Sequence, residues 1–208
     1  GAITQSGALS VVGASAFNSS AGNGAITLNN AGNLFTGADT FTSGTGAVTL
    51  VNNLATVLGA STVGGAFTVT SNGAITQTGA LAVTGTSNFS AGANAITLAT
   101  ATNNFTGAVS LTNSGANNVS LTNSAALTLG TVSVGSGTLT LTGVGINEGA
   151  TGTVTQAAGA GAATINAGAG VIALGNANDF TGAVTLSNSG ANNVTLNNGA
   201  NLLTLGGT

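Results

Sequence analysis

The chain of 208 residues contains no lysine, arginine, histidine, cysteine, proline, methionine, tryptophan or tyrosine. Because it has no cationic side chain, it cannot neutralise phosphates, and we expect it to bind neither nucleic acid nor anionic lipid headgroups. The absence of cysteine excludes disulfides, thiolate catalysis and thiolate metal ligands. The net charge of −3 comes from Asp39, Glu148 and Asp179 alone.

Charged residues make up only 1 % of the chain, but apolar residues make up 42 %. That apolar fraction is sufficient for a buried core and differs from the composition of disordered proteins. No run approaches the roughly 20 apolar residues of a membrane-spanning helix, so we expect no membrane insertion. Since no methionine is present, even at position 1, we expect a processed chain or a segment of a longer protein.

Internal repetition is the strongest positive signal. Short words such as AIT, AVT and NVT recur about every 22 residues. A longer period lies above this one, because GAITQ opens at residues 1 and 73 and GTVTQ opens at 152. Phenylalanine follows the longer period, with Phe17 matching Phe89 and Phe35 matching Phe105 and Phe180. We therefore predict one solenoid segment over 1–208, divided into units of about 1–72, 73–151 and 152–208.

Within each period, runs such as GAVTL and TLTLT alternate small polar with aliphatic residues, which is the pattern of β-strands. Glycine, asparagine and serine cluster between the runs and favour tight turns. Helical periodicity is absent. The sequence predicts an all-β fold, a right-handed parallel β-helix of about nine coils of ~22 residues with three short strands per coil. A sandwich or barrel is the alternative, and it would need antiparallel hairpins.

Two sets of residues follow from this fold. Apolar residues at the centres of the repeated words are predicted to face the core: Phe17, Phe35, Phe89, Phe105, Phe180, Ile26, Ile75, Ile96, Val119 and Val194. Three asparagines occur at matching positions of the stretches 103–121 and 178–196: Asn113, Asn117 and Asn118 in the first, and Asn188, Asn192 and Asn193 in the second. We predict that they stack at corners and form hydrogen bonds with neighbouring turns. The alternative is that they present their amides to glycans.

The sequence contains few residues that could catalyse a reaction or bind a metal ion. Asp39 and Asp179 lie in similar repeat contexts several coils apart, too far for a pair of glycosidase carboxylates, and we expect all three acids to be solvated turn residues. Serine and threonine are abundant, but no base is present to activate them. Clustered acids of a calcium loop are missing. We predict no enzymatic activity, no catalytic residues, no cofactor and no metal. Ice binding by T-x-T faces is a rival hypothesis, although TFT at 40–42, TVT at 68–70 and TLT at 138–140 do not recur in every coil.

The words GAITL, NNFTGAVSL and NSGANNVTL resemble the strand repeats of filamentous-haemagglutinin-type bacterial exoproteins. The resemblance spans nearly the whole chain and implies a right-handed parallel β-helix of a secreted adhesin. It also implies an extracellular or cell-surface location and an outer-membrane secretion partner.

From the residues and the resemblance together we predict a non-catalytic extracellular rod, the shaft segment of a bacterial adhesin or fibre. We expect its partners to be further coils of the same kind, through continuing coils or end-to-end stacking, with surface glycans as a further candidate. A glycan- or ice-binding module is the alternative function.

Overall fold

The computed structural model describes residues 1–207 as an all-β chain. Apart from a 3-10 turn at Ser20–Gly22, no helix occurs in this range. The strands in chain order are β1 (Ile3–Thr4), β2 (Ser10–Val11), β3 (Ser15–Asn18), β4 (Ile26–Leu28), β5 (Leu34–Phe35), β6 (Ala38–Ser43), β7 (Val48–Asn52), β8 (Thr56–Leu58), β9 (Ser61–Val63), β10 (Phe67–Ser71), β11 (Ile75–Gln77), β12 (Leu81–Val83), β13 (Ser87–Ser90), β14 (Ile96–Leu98), β15 (Asn104–Phe105), β16 (Val109–Thr112), β17 (Val119–Thr122), β18 (Leu127–Val134), β19 (Leu139–Thr142), β20 (Ile146–Gln156), β21 (Ala163–Asn166), β22 (Ile172–Leu174), β23 (Val184–Ser187) and β24 (Val194–Leu196).

All strand pairs are parallel, and each strand pairs with its equivalent one turn away. Ile26 lies opposite Val48, which in turn lies opposite Phe67. The turns follow at about 21 residues and number about nine, which confirms the predicted parallel β-solenoid. Alternating sequence sets the burial, because every second side chain of a strand points inward. In β7, for example, Val48, Leu50 and Asn52 are buried, whereas Thr49 and Val51 are half-buried.

The strands form three ladders. The first sheet has ten strands in the order β1-β4-β7-β10-β13-β16-β18-β20-β22-β24. The second sheet has twelve strands: eleven follow the order β15-β12-β9-β6-β8-β11-β14-β17-β19-β21-β23, and the twelfth, β3, pairs with β6. The short pair β2-β5 forms a separate two-stranded sheet. The long strand β6 pairs with β8 through Ala38 and Asp39 and with β9 through Thr42 and Ser43, so one strand continues around a corner.

The core is a continuous apolar column inside the coils. Most of the apolar side chains expected there are at most 1 % exposed: Phe35, Phe89, Phe105, Phe180, Ile26, Ile75, Ile96 and Val119. Phe17, in the first coil, is half-buried and packs against this core. The expectation that Val194 faces the core is wrong, because its side chain is 47 % exposed. Its strand β24 is the last of the ten-stranded sheet and has a neighbour, β22, on one side only.

Phenylalanine rings form a chain along the axis. Phe17 stacks on Phe41 at 5.6 Å, and contacts of 5.7 to 6.0 Å continue through Phe67 and Phe89 to Phe105. The sequence match of Phe17 with Phe89 does not make them neighbours in the ladder. Phe17 lies opposite Phe41, in the twelve-stranded sheet, whereas Phe89 belongs to the ten-stranded one.

One corner of the solenoid is built from glycines. A Cβ placed on Gly85 would lie 2.5 Å from the carbonyl of Gly65, and one on Gly65 would lie 2.6 Å from that of Gly46. Real Cβ atoms do not approach backbone so closely. Glycine at this corner therefore permits successive turns to pack at the spacing that their parallel ladders require.

Candidate functional site

The acids are separated rather than clustered. Asp39 lies in β6 of the second coil, which comprises β4 to β6, whereas Glu148 lies in β20 and Asp179 follows β22. Glu148 accepts a hydrogen bond from the backbone N–H of Asn176 at 2.8 Å, and Asp179 accepts one from the Asn201 amide at 2.9 Å. Within residues 1–207 no group of three or more acidic, histidine or cysteine side chains gathers to hold a metal ion.

Glu148 departs from the expectation of a solvated turn residue, because it is half-buried within β20 and its Oε1 is buried with no partner among the described residues. Asp39 departs from that expectation further, because its side chain is 0 % exposed. It occupies an inward position of β6, where alternation turns Asp39, Phe41 and Ser43 toward the interior. The Ser15 hydroxyl donates to its Oδ1 at 2.6 Å, and its Oδ2 has no hydrogen-bond partner among the described residues. Burial raises the pKa of Asp39 to about 6, an effect that the Ser15 hydrogen bond partly offsets.

The most elaborate polar arrangement is a buried amide that joins three successive turns. Asn103 is fully buried, and its Oδ1 accepts hydrogen bonds from the Leu81 backbone N–H at 2.9 Å and from the Gln77 side chain at 2.8 Å. Its Nδ2 donates to Gln77 Oε1, to the Leu98 carbonyl and to the Thr122 carbonyl, at 2.9 to 3.2 Å. The side chain therefore satisfies backbone groups of the preceding turn, its own turn and the following turn.

The same arrangement recurs in the first unit. Asn33 accepts from the Leu9 backbone N–H and from Gln5, and it donates to Gln5, to Leu28 and to Val51. We call each of these groups, centred on Asn33, Asn103 or Asn178, an amide clamp.

In the third unit the clamp is altered. Asn178 accepts from the Val154 backbone N–H and donates to the carbonyls of Leu174, Asn176 and Asn197, with no glutamine opposite it. The third clamp therefore lacks the reciprocal amide pair of the other two.

A second asparagine accompanies each clamp one turn later. Asn123 is buried, and it accepts from the Phe105 backbone N–H and donates to the Phe105 carbonyl at 2.8 and 3.1 Å. Asn52 and Asn198 bracket Phe35 and Phe180 in the same way. These pairs replace the ladder hydrogen bonds that a regular strand would make at the phenylalanine positions.

Sequence reasoning missed these six asparagines, although each clamp carried a signal. An asparagine precedes a phenylalanine by two positions in all three units, as NLF at 33–35, NNF at 103–105 and NDF at 178–180. Alternation places residues two apart on the same face of a strand. A buried phenylalanine therefore points to a buried asparagine, and a buried amide needs partners.

The corner asparagines selected from the sequence lie elsewhere. Asn113 and Asn188 each donate to a backbone carbonyl of a neighbouring turn and to a carbonyl within their own corner. The side chains of Asn117 and Asn192 donate to the carbonyls of Ala93 and Ala169 on the preceding turn. The side chain of Asn118 accepts from the Thr138 backbone N–H on the following turn. Each of these hydrogen bonds joins a side chain of one turn to the backbone of the next. Asn193 contributes its backbone carbonyl to Ile172.

Outward hydroxyls align on the ten-stranded sheet. One column runs Thr4, Thr27, Thr49, Thr68, Asn88 and Ser110, each opposite the next. Two residues further along the strands, a second column runs Val51, Thr70, Ser90, Thr112, Ser133 and Thr155. Of the strands that enter both columns, only β10 carries threonine in both, at Thr68 and Thr70, and Val51 interrupts the second column. The T-x-T words therefore do not recur in every turn, as the sequence indicated, and the columns are built from mixed small polar side chains.

Comparison with known proteins identifies a family of repeats. A family model described as repeats of unknown function (DUF5649) matches residues 1–42, 45–112 and 116–187. No curated protein and no solved structure matches the chain significantly. No helix within residues 1–207 has the length and apolar character needed to cross a membrane.

Proposed function

Since the chain belongs to the DUF5649 family of repeats, whose description names no activity, we propose its function from geometry: it is a non-catalytic structural rod. The observation that carries the proposal is the unbroken parallel ladder of about nine turns. Backbone hydrogen bonds run along the axis, so load applied along the rod is shared by every strand of a turn. Isolated acids with separate partners, in a chain without histidine, lysine, arginine or cysteine, support a passive role.

We place this rod outside the cell, as the shaft of a bacterial surface adhesin or fibre of the filamentous-haemagglutinin type. The resemblance of its strand repeats to that class supports the placement, as does the absence of lysine and arginine, which leaves no site for trypsin-like proteases. By the same resemblance, an outer-membrane secretion partner would export it.

Antibodies against the purified chain test this location on the cells that produce it. We expect labelling of intact cells and loss of that labelling after brief proteinase K treatment, while a cytoplasmic control protein survives. Labelling that appears only after lysis would contradict an extracellular shaft.

We extend the proposal to end-to-end continuation of the ladder. Strands β1 and β24 each pair on one side only, and parallel edges recruit further strands. Leu202 and Leu205 are 88 % and 65 % exposed beside the last turn. Stacking of a second copy would pair such an edge and cover these side chains. Sedimentation of the purified chain should show association that increases with concentration, and a monomer at every concentration would refute self-stacking.

A second candidate function rests on the two hydroxyl columns of the ten-stranded sheet. Side chains repeated along both the axis and the strand form a regular array, and an ordered hydroxylated surface, either ice or carbohydrate, is the ligand class that we propose for it. Thermal hysteresis and glycan-array binding test it with Thr49→Tyr and Thr68→Tyr, which disrupt the array. Thr140→Tyr, on the twelve-stranded sheet, is the matched control. Equal behaviour of all three variants and the parent chain would eliminate this candidate.

A further inference from the structure

Two cavities lie side by side on the surface of the solenoid, where the chain leaves the ten-stranded sheet. One, of about 300 Å³, borders the ends of β7, β10 and β13, and the other, of about 310 Å³, borders the ends of β16, β18 and β20. These strands are consecutive in the sheet, and the cavities meet where the Ser114 N–H donates to the Gly92 carbonyl at 2.7 Å. Together they form a furrow along the axis, which we call the corner furrow. Its six strands, spaced at about 4.8 Å, give it a length of about 24 Å.

The floor of the corner furrow is fixed by buried polar side chains. Ser71, Asn113 and Gln156 line the cavities and are at most 5 % exposed. Asn113 donates to two backbone carbonyls, and Ser71 and Gln156 donate to one each. Because these side chains are already held by the protein, a ligand would meet a preformed surface and lose little free energy in ordering it.

One wall of the corner furrow is the second hydroxyl column. Thr70, Ser90, Thr112, Ser133 and Thr155 follow one another in register, one on each turn. Thr70 and Thr112 are exposed, and the other three are half-buried. Each hydroxyl can donate one hydrogen bond and accept two, so this wall offers both kinds of partner at every turn.

Glycine keeps the other side of the corner furrow open. Gly92 and Gly115 have positive φ angles of 55° and 81°, a backbone conformation that other residues rarely adopt. A Cβ on Gly92 would meet no other atom within 4 Å. The same residues that turn the chain at this corner therefore leave free the space beside the hydroxyls.

The chemistry of the corner furrow favours a neutral ligand. Within residues 1–207 no charged side chain lines either cavity, and the chain has no cation that could attract an anion. Asp179 lies opposite Thr155 on the following turn, and its negative charge disfavours anions further. Hydroxyls and amides exchange hydrogen bonds well with the hydroxyls of a sugar. Their repeat of about 4.8 Å along the axis resembles the residue repeat of an extended pyranose chain.

We propose that the corner furrow binds a linear neutral polysaccharide that runs along the axis of the solenoid. The proposal rests on the second candidate function, which it narrows to carbohydrate, but it places the ligand in the furrow rather than flat on the array. Each turn adds an equivalent set of hydrogen-bonding groups. Affinity should therefore increase with the length of the glycan until the glycan fills the furrow.

NMR titration of the full chain tests the proposal with cello-, manno-, xylo- and chito-oligosaccharides from disaccharide to octasaccharide. We expect shift changes at the amides of Asn72, Ser114, Ser133 and Thr155, and an affinity for at least one series that rises about tenfold or more from disaccharide to hexasaccharide. Oligogalacturonides of the same lengths, which are anionic, should not bind. The proposal is overturned if no neutral series binds, if affinity does not depend on length, or if oligogalacturonides bind as tightly.

Tyrosine substitutions locate the site. Ala157 is exposed at the edge of the corner furrow, so Ala157→Tyr should lower the affinity for the hexasaccharide about tenfold or more, whereas Thr140→Tyr on the twelve-stranded sheet should not. Circular dichroism checks folding, and Ser114→Tyr, at an exposed position of the same furrow, replaces Ala157→Tyr if that variant does not fold.

Thr49→Tyr separates this proposal from the second candidate function, because Thr49 belongs to the first hydroxyl column. Loss of glycan binding in Thr49→Tyr but not in Ala157→Tyr would support the array and refute the corner furrow. Thermal hysteresis without glycan binding would do the same. Glycan binding that neither variant weakens would refute both.

Discussion

Replacing Asn103 by alanine should be one of the most damaging single substitutions in the solenoid. The change removes the hydrogen bonds to the Leu81 N–H and to the Leu98 and Thr122 carbonyls, together with both contacts to Gln77. A buried backbone group left without a partner costs about 1–3 kcal/mol. The Leu98 carbonyl keeps the Thr122 backbone N–H through the β14–β17 ladder, so the groups left without a partner are the Leu81 N–H and the Thr122 carbonyl. Two such groups give about 2–6 kcal/mol, and a water molecule entering the space of the lost amide would bring the loss toward the lower end. We expect about 2–4 kcal/mol.

Urea unfolding followed by far-ultraviolet circular dichroism measures this loss. Asn104→Ala is the matched control, because Asn104 is the next residue, points outward and is exposed. Surface substitutions of this kind usually change the free energy of unfolding by less than about 0.5 kcal/mol. Hydrogen exchange should show the Asn103 effect concentrated at the turns containing Leu81 and Thr122. If the two variants were equally stable, the buried amide would not hold the turns together, and the reasoning on the clamps would fail.

Three further predictions concern other parts of the solenoid. Phe105→Ala should lower the free energy of unfolding by about 3–5 kcal/mol in urea titrations, and Phe17→Ala by clearly less because Phe17 is half-buried; equal losses would contradict the burial argument. Gly85→Ala should destabilise strongly by forcing a Cβ against the neighbouring turn, whereas Gly175→Ala, with no atom within 4 Å, should be nearly neutral by thermal melting. The folded chain retains the Asp39 proton up to about pH 6, whereas the unfolded chain releases it above about pH 4. The free energy of unfolding should therefore be highest below about pH 4 and decline by at most about 3 kcal/mol as pH rises through about 6. This decline should be absent in Asp39→Asn.

The fold could be predicted from the sequence because periodicity alone specifies it. Repeated words such as AIT at 25–27 and AVT at 47–49 lie in adjacent turns, with Ile26 opposite Val48. The exposure of Val194 could not be predicted from the repeated word NVT in which it occurs. The burial of its side chain depends on the position of its turn in the stack, which the word does not encode.

The polar interior was harder to predict. Asp39 occurs in the word GADTF, which reads as a turn, and only the register with Ser15 and Leu58 shows it to be buried. The asparagines of the amide clamps are not in the most conspicuous repeated stretch, NSGANN. Their role depends on which carbonyls of the next turn lie within reach, and this distance is set by the stacking rather than by local sequence.

In a chain almost without charge, the buried backbone N–H and C=O groups of irregular turns must find hydrogen-bond partners among neutral groups. A strand inside a parallel ladder bonds its backbone on both sides, but a phenylalanine-bearing turn such as 99–106 interrupts that ladder. An amide supplies both a donor and an acceptor at one position, so Asn103 and Asn123 can complete the hydrogen bonding of that turn without burying a charge. A carboxylate offers acceptors only, and Asp39 shows the consequence: one oxygen has no partner and its pKa is raised. The clamps therefore explain how a stack with so few ionisable groups completes the hydrogen bonding of the turns in which its parallel ladder is interrupted.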